Sequence, residues 1–286
     1  GRQQTQHVPH GCARCHMNIE LGERQIYAYT GGRPFDPTLP CVVFIHGALH
    51  DHSVWTLPAR WMAHHGYGVL ALDQPGHMRS IGPVCASIEE GALALWQVLD
   101  AVGAGRVCLV GHSMGSLIAL EAAARCPQRV TDLVMVGTAY PMAVSPALLE
   151  AAEQRPAQGI DMVNQYSLSS WASKPSYPGP GFWLHGGNRA LMHRVLASNR
   201  NVNLFSHDFK LCDAYRGAEA AMPLVQARTH LVLGARDQMT MPKASRALQV
   251  GLQARVHTLA TGHGLMQEDP EDFLRILRGI TAGFAA

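Results

Sequence analysis

The sequence predicts an α/β fold: a mostly parallel central sheet with helices on both faces and an inserted, mainly helical segment. Short, continuously apolar runs alternate with stretches whose apolar residues recur at helical spacing, which is typical of parallel strands covered on both faces. The alternation stops after Gly137 and resumes at Thr229. The chain of 286 residues, with 47% hydrophobic and 15% charged residues, is long enough for one large domain or for one domain plus an insertion.

The predicted strands are short. An alternating segment over residues 17–21 turns at Gly22 and returns over residues 25–29, which predicts a hairpin. Continuous apolar runs, each long enough for one buried strand, follow at Cys41–Ile45, Gly68–Leu72, 107–110, Val130–Val136 and 229–233. A last strand is predicted at Arg255–Leu259.

The helices are predicted from apolar spacing and from their capping residues. Residues 53–65 and 242–252 carry apolar residues at helical spacing. Ser87, with Glu90 three residues later, forms a capping-box pattern that begins a helix ending near residue 102. The final helix is predicted over residues 269–281, with Asp269 as N-cap and a proline at the first helical position.

We expect a core formed by residues 17–139 and 218–286, a helical cap over residues 140–217, and a flexible N-terminal extension over residues 1–16. That extension is polar and unpatterned, but it contains the C-x-x-C-H pattern at residues 12–16. The pattern suggests covalent haem attachment or a zinc site. No export signal accompanies it, and metal ligands need a folded geometry. We therefore expect a chance match, with no bound metal.

Composition limits the partners of the protein. The net charge is only +2 and no basic cluster occurs, so neither nucleic acid nor an anionic membrane is expected as a partner. No apolar run approaches the roughly 20 residues that cross a bilayer. The seven cysteines lie mostly in apolar segments, as at Cys41, Cys108 and Cys126, which indicates reduced side chains. We expect a cytoplasmic monomer or homodimer with a small-molecule partner.

The segment Gly111-His112-Ser113-Met114-Gly115 follows an apolar run and precedes a helical pattern. A G-x-S-x-G pentapeptide alone is weak, because it occurs by chance in loops rich in glycine and serine. Between a strand and a helix, however, it predicts a sharp turn that exposes a nucleophilic serine. Ser113 is therefore the candidate nucleophile. The amide of Met114 then stands at a helix N-terminus, where it can stabilise an oxyanion.

A nucleophilic serine needs a base, and the base needs an orienting acid. Among the 16 histidines, His263 lies in a glycine-flanked loop after the last predicted strand, where a mobile base is required. Asp237 follows the preceding strand and reaches the same sheet edge. These two residues are the candidate base and acid.

Other polar residues receive structural interpretations. His46 and His77 precede the nucleophile in the chain, and we expect them to form structural hydrogen bonds. We expect His230 and His257, which lie within predicted strands, to be packed or exposed. Glu268 is interpreted as a charge at a helix N-terminus.

Five motifs in this order resemble the α/β-hydrolase fold family, in its cap-bearing branch, over nearly everything from residue 17 onward. They are His46-Gly47, the stretch 73–77 (Asp-Gln-Pro-Gly-His), the turn at 111–115, Gly234-x-x-Asp237 and Gly262-His263-Gly264. The resemblance implies the order serine, acid, histidine. It also implies the amide of Ala48 as second oxyanion donor, with the Leu49 amide as the less favoured choice.

Two local features bear on this resemblance. The family has a second acid position, after the strand that ends near Val136. Residues 137–139, Gly-Thr-Ala, offer no carboxylate there, which favours Asp237. Met78 replaces a glycine that is common at its position in the family, without affecting any catalytic role.

The resemblance implies a serine hydrolase that works through an acyl-enzyme and needs no metal or organic cofactor. A serine at the turn disfavours dehalogenases and epoxide hydrolases, which use an aspartate. We expect a carboxylic ester hydrolase acting on an ester or lactone. The alternatives are a carbon–carbon bond hydrolase of ring-cleavage products, an acyltransferase or perhydrolase, and a small-molecule sensor with slow turnover.

The substrate pocket is expected to be apolar. The candidate lining residues are Leu49, Met142, Trp171, Trp183, Met239 and Leu265, although each of them can equally pack against the core. His50 and Asp51 can orient a polar substrate or cap the following helix, and we favour capping.

Overall fold

The computed structural model of the protein describes residues 15–169 and 183–283. Within these ranges one eight-stranded sheet has the order β1-β2-β4-β3-β5-β6-β7-β8. The strands are β1 His16–Leu21, β2 Arg24–Tyr29, β3 Cys41–Ile45, β4 Gly68–Leu72, β5 Val107–His112, β6 Val130–Val136, β7 Arg228–Gly234 and β8 Arg255–Leu259. Strands β3 to β8 are parallel, whereas β1 and β2 form an antiparallel hairpin that joins β4. The predicted α/β fold class is confirmed.

The helices of the described residues cover both faces of this sheet. They are α1 Thr56–Ala63, α2 Ile88–Ala101, α3 Met114–Arg125, α4 Pro146–Gln154, α5 Pro156–Ser167, α6 Leu184–Ser198, α7 Leu204–Ala214, α8 Ala218–Ala221, α9 Arg246–Leu252, α10 Leu265–Glu268 and α11 Pro270–Ala282. Short 3-10 turns lie at His52–Trp55, Pro127–Arg129, Met222–Leu224 and Pro242–Ser245. The helix predicted over residues 53–65 is thus divided into a 3-10 turn and α1.

Alternation along the central strands divides the core into two layers. In β3, Val43 and Ile45 pack with α2 and α3, whereas Val42 and Phe44 pack with α1 and α11 on the other face. Every residue of β3 is buried. The continuous apolar run follows from this double coverage, because both faces of a covered parallel strand need apolar side chains.

The predicted caps are present, with one difference. Ser87 accepts a hydrogen bond from the Glu90 amide at 3.0 Å, and Asp269 accepts one from the Asp272 amide at 3.2 Å. The Glu90 carboxylate accepts from the Ala86 amide instead of returning to Ser87. The N-termini of α2 and α11 are therefore capped by side chains, as the sequence indicates.

The N-terminal boundary differs by one residue from the prediction. His16 is the first residue of β1 and pairs with Tyr29. Residues 1–14 of the predicted extension, which include Cys12 of the C-x-x-C-H pattern, lie outside the described ranges. The sheet thus begins one residue earlier than expected.

Among the described residues, helices α4 to α7 lie within 140–217, between β6 and β7, and α8 follows them; we call the described residues of 140–217 the helical insertion. Its first residues contact the core through the Tyr140 amide, which donates to the Ala244 carbonyl at 3.0 Å. The break in the alternation after Gly137 corresponds to this insertion. No helix within residues 15–169 and 183–283 is long and apolar enough to cross a bilayer.

The turn between β5 and α3 depends on two glycines. A Cβ atom on Gly111 would lie 2.2 Å from the carbonyl oxygen of Gly115, and a Cβ atom on Gly115 would lie 2.2 Å from the carbonyl oxygen of Ile45. Both distances are far inside van der Waals contact with backbone, which cannot move aside as a flexible side chain can. The turn therefore requires glycine at both positions.

This close approach predicts the effect of Gly115→Ala. We expect the free energy of unfolding to fall by about 1–3 kcal/mol, because the added methyl group forces α3 away from β3. Urea denaturation followed by circular dichroism measures the change. The matched control is Gly279→Ala in α11, where an added Cβ meets nothing within 4 Å. That variant should be stabilised by about 0.5–1 kcal/mol. Equal stability of the two variants would contradict the packing argument.

Candidate active site

Ser113 stands at the turn between β5 and α3 in a backbone conformation that residues with side chains rarely adopt. Its φ is 52° and its ψ is −116°, which is a strained combination for serine. The Ser113 amide donates to the Val136 carbonyl at 2.9 Å, which ties the turn to the end of β6. Met114 is the first residue of α3, so its amide has no intrahelical acceptor. The turn therefore presents a hydroxyl beside a free amide.

Asp237 and His263 meet at the same sheet edge. Oδ2 of Asp237 accepts from Nδ1 of His263 at 2.8 Å. Oδ1 accepts from the amides of Met239 and Thr240 at 2.9 and 2.8 Å. Burial acts to raise the pKa of Asp237, but the charge of His263 and these hydrogen bonds outweigh it and hold the pKa below its usual value. Asp237 is therefore an ionised acceptor.

Thr240 is a third residue at the contact between Asp237 and His263, and it is not among the residues that the sequence predicts for the site. Its hydroxyl donates to Oδ2 of Asp237 at 2.8 Å and lies 3.1 Å from Nδ1 of His263. The network assigns the proton of His263 to Nδ1, which leaves Nε2 as the proton acceptor. A threonine three residues after an aspartate is a common turn partner, so a local signal was available.

The alternative acid position is closed. Gly137, at the end of β6, has a φ of 55°, and a Cβ atom there would lie 3.2 Å from Nδ1 of His263. That nitrogen is the one already bound by Asp237. The backbone at Gly137 thus packs directly against the imidazole.

Ser113 and His263 line one cavity of about 520 Å³. Within the described part of the chain, no hydrogen bond joins the Ser113 hydroxyl to the imidazole. In ligand-free sites this contact is often longer than in the reacting complex. The structure therefore brings the two side chains to one cavity.

His112, the variable residue of the turn, supports the histidine loop. Its Nε2 donates to the carbonyl of His263 at 2.8 Å. Burial is the main cause that holds the pKa of His112 well below its usual value, and His263 and His50 act in the same direction. The ring is neutral and serves as a donor to the loop that follows β8.

Two acceptors from other elements hold the same loop. The carbonyl of Ser167, the last residue of α5, accepts from the amides of His263 and Gly264 at 2.7 and 3.2 Å. The buried Glu268 carboxylate accepts from the amides of Gly262 and Ser169, each at 2.9 Å. Glu268 lies in the first turn of the short helix α10, as expected, and the sequence does not indicate that its two oxygens also accept from these loop amides.

The turn after β3, residues 46–49, is held at both ends. Nδ1 of His46 donates to the Gly47 carbonyl at 2.8 Å, and Nε2 accepts from the Gln74 amide at 3.0 Å. Burial is the main cause that lowers the pKa of His46 to about 3, so the ring is neutral. The Leu49 amide donates to Asp208 at 2.9 Å. The Leu49 amide is therefore unavailable to an oxyanion, whereas Ala48 lines the cavity beside Ser113.

The predicted pocket residues separate into three groups. Met142 and Met239 line the 520 Å³ cavity. Leu49 and Leu265 are wholly buried in the core, which contradicts the expected substrate contacts of these two. Trp183 is 52% exposed and does not line this cavity, and its substrate contact stays a prediction. Trp171 lies outside the described residues.

A second cavity of about 360 Å³ adjoins the first. His50, His112, Ser167 and His263 line both cavities. The second also includes Asn188, whose Oδ1 lies 3.0 Å from Nε2 of His50. The imidazole of His263 therefore stands where the two cavities meet.

The model of the alpha/beta hydrolase family matches residues 42–276. The chain belongs to the α/β-hydrolase family. The predicted resemblance is confirmed.

Individual relatives of this α/β-hydrolase differ in coverage. It is 26% identical over 259 residues to a putative carbamate hydrolase RutD of Klebsiella pneumoniae, which spans 86% of this chain and 93% of the relative. It is 32% identical over 136 residues to the lipase LipV of Mycobacterium tuberculosis, or 42% of this chain and 51% of the lipase. Among the first curated relatives the match covers 36% to 93% of their own length. An esterase structure from Exiguobacterium antarcticum superposes with a TM-score of 0.79 at 17% identity, over 94% of this chain and 99% of that one.

One group of side chains in this α/β-hydrolase resembles a metal site. Potential ligand atoms of Asp51, His52 and Asp73 lie within 4.8 Å of one another. Hydrogen bonds already account for them: Asp51 accepts from the Ser53 amide at 2.9 Å, and Asp73 accepts from Nδ1 of His52 at 2.7 Å. Asp51 thus caps the 3-10 turn that follows, as the sequence favours.

The role of Glu268 predicts a stability difference. Glu268→Gln should lower the free energy of unfolding by about 1–3 kcal/mol, because an amide retains one acceptor oxygen for two buried backbone donors. Urea denaturation measures the change, and hydrogen exchange at the Gly262 amide locates it. Glu271→Gln, exposed in α11, is the control and should change stability by less than about 0.5 kcal/mol. Unchanged exchange at Gly262 would contradict the assignment.

Proposed function

We propose that the protein is a serine hydrolase that cleaves a carboxylic ester or lactone through an acyl-enzyme intermediate. Ser113 is the nucleophile, His263 the base and Asp237 the orienting acid. The observation that carries the proposal is the 2.8 Å contact between Asp237 and Nδ1 of His263. The imidazole of His263 lines the same cavity as Ser113, whose backbone conformation is strained.

The first half of the reaction forms the acyl-enzyme. Nε2 of His263 takes the proton of the Ser113 hydroxyl as Oγ attacks the carbonyl carbon. The carbonyl oxygen becomes an oxyanion that accepts hydrogen bonds from the amides of Met114 and Ala48. The tetrahedral intermediate then expels the alcohol oxygen, which takes the proton from His263.

The second half restores the enzyme. His263 takes a proton from water, and the resulting hydroxide attacks the acyl carbon. The intermediate expels the Ser113 oxygen, which regains the proton from His263. The carboxylic acid product leaves, and no group other than water is consumed.

Asp237 acts on His263 rather than on the substrate. Because its pKa is lowered, it is ionised throughout the range in which a histidine base functions. It holds the Nδ1 proton in place and stabilises the imidazolium that forms during each half-reaction. Thr240 supports both residues by its hydrogen bond to the carboxylate.

The larger cavity supports an apolar acyl group of small to medium size. Its volume of about 520 Å³ lies within the range of small-molecule sites, roughly 300–1,000 Å³. Apolar side chains contributed mainly by the helical insertion line it, among them Met142, Leu148, Met162, Val163 and Phe209. We therefore propose a small-molecule ester or lactone as substrate, with the helical insertion serving as its cap.

The first test is steady-state hydrolysis of p-nitrophenyl esters of increasing acyl length. The wild-type protein should hydrolyse its best ester with a kcat of about 1 per second or more. Ser113→Ala should lose this turnover, because the attacking oxygen is gone. Ser87→Ala, which removes only the cap of α2, is the control and should retain it.

Failure of this assay has a defined meaning. If no ester or lactone is turned over in a Ser113-dependent manner, the ester hydrolase proposal is wrong. The next substrate would then be a vinylogous diketone of the ring-cleavage type, which tests carbon–carbon bond hydrolysis.

The second test is Asp237→Asn. We expect kcat to fall by about 10⁴-fold, because the amide no longer selects the tautomer with a free Nε2. KM should change little, since Asp237 makes no proposed substrate contact. Asp161→Asn, exposed on α5, is the control for loss of one negative charge. A loss of less than about tenfold at Asp237 would contradict its role, given that a general base contributes about 10²–10⁴-fold.

A further inference from the structure

Asp208, on α7 of the helical insertion, is fully buried and joins three elements. Its Oδ2 accepts from the Leu49 amide at 2.9 Å and from Nε2 of His77 at 2.7 Å. Its Oδ1 accepts from Nδ1 of His207 at 2.9 Å. We call Asp208, His77 and His207 the carboxylate–histidine cluster. The cluster connects α7 to the turn after β3 and to the loop after β4.

Both histidines of the cluster face acceptors at each ring nitrogen. The second nitrogen of His77, Nδ1, lies 3.1 Å from the Pro75 carbonyl, and Nε2 of His207 lies 2.8 Å from the Cys85 carbonyl. Carbonyl and carboxylate oxygens have no proton to donate. This geometry favours donation from all four ring nitrogens, which makes both rings imidazolium ions on either side of one carboxylate.

The local charges agree with this protonation. Burial by itself lowers the pKa of His77 and His207, but the charge of Asp208 and its hydrogen bonds outweigh burial and raise both values. Burial by itself raises the pKa of Asp208, but the two histidines outweigh it and hold the pKa far below its usual value.

Other titratable groups surround the cluster on each side. Asp73 adds to the raised pKa of His77, and the ring of His46, 5.4 Å away, is neutral. Near His207 lie the Glu90 carboxylate and the Cys85 thiol, whose pKa burial raises to about 11. None of these groups supplies a second negative charge in hydrogen-bond contact with either ring.

The turn that the cluster holds is conformationally demanding. Leu49 has a φ of 55°, in the left-handed region that side chains disfavour. Its amide is bound by Asp208, while the Gly47 carbonyl two residues earlier is bound by His46. Ala48 lies between these two fixed points.

We propose that Asp208, held between His77 and His207, is a positioning residue that fixes the Ala48 amide toward the oxyanion. The inference rests on the proposed function, in which this amide stabilises the tetrahedral intermediate. The helical insertion then contributes to the reaction itself, because its α7 carries the carboxylate that orders the turn.

The kinetic test is Asp208→Asn, assayed on the best p-nitrophenyl ester. We expect kcat to fall about 10–100-fold, less than the 10²–10³-fold that follows complete loss of an oxyanion donor. KM should stay within about twofold, because the acyl contacts do not involve Asp208. Asp213→Asn is the matched control: it lies on the same helix and its Oδ1 accepts from the Val144 amide at 2.9 Å. It should lose stability but retain kcat.

The pH dependence of kcat distinguishes a positioning role of Asp208 from a purely structural one. A histidine whose folded pKa is raised contributes stability below its unfolded pKa, near 6.5, and loses it as the pH rises through the folded pKa. The wild-type kcat should therefore decline on the alkaline side as His77 and His207 lose their protons. In Asp208→Asn this decline should begin at lower pH, whereas Asp213→Asn should keep the wild-type profile.

Nitrogen NMR of histidine-labelled protein tests the cluster without any substrate. We expect two imidazolium spectra at pH 7 that are assigned by His77→Gln and His207→Gln. Slow hydrogen exchange at the Leu49 amide, which Asp208 binds at 2.9 Å, should become fast in Asp208→Asn. If that variant does not fold, His207→Gln should show an intermediate loss of kcat and faster exchange.

The outcomes separate the two proposals. Neutral rings at pH 7, or an Asp208→Asn variant that loses stability with unchanged kcat, would overturn the positioning role. If no ester is turned over at all, the proposed function fails, and exchange at the Leu49 amide decides alone whether Asp208 holds this turn: unchanged exchange overturns the positioning role.

Discussion

The backbone contact between the turn after β5 and the end of β3 is the constraint on which the rest of the site depends. Gly115 approaches the Ile45 carbonyl so closely that a Cβ atom would lie 2.2 Å from it. This approach holds Ser113 above the sheet edge in its strained conformation and places the Met114 amide at a helix N-terminus. Because six parallel strands end at that edge, the loops after β3, β7 and β8 reach the same point.

Those loops have no regular structure of their own, and buried acceptors hold them. The loop of His263 is bound by the Ser167 carbonyl and the Glu268 carboxylate, and the turn of Ala48 is bound by Asp208. Ser167 and Asp208 belong to the helical insertion. The insertion therefore contacts the loops that carry the proposed reacting groups through hydrogen bonds to their backbone, and it also contributes side chains to the lining of the cavity. A substitution in α5 or α7 can change the reaction without touching a substrate.

Membership of the family establishes the architecture, whereas the reaction proposed for the chain depends on the site. A structure with a TM-score of 0.79 is only 17% identical in sequence, so the architecture is retained while most side chains differ. The same fold hosts many reactions. The reaction type proposed for this chain therefore depends on the contact of Asp237 with His263 beside Ser113. The substrate class depends on the apolar cavity lined by the helical insertion.

The sequence by itself determined the strands, the turn at Ser113 and the candidate acid and base, because each leaves a local signal. A buried parallel strand requires an apolar run, and a sharp turn requires glycine. The candidate acid and base each lie in a loop directly after a strand, so their positions can be identified once the strand is predicted. Only the tertiary structure decided that Leu49 and Leu265 face the core, since an apolar side chain suits a pocket or a core equally. It also decided that Asp208 binds the Leu49 amide, 159 residues away. A hydrogen bond between distant segments leaves no periodicity or spacing in the chain, because folding alone brings its two partners together.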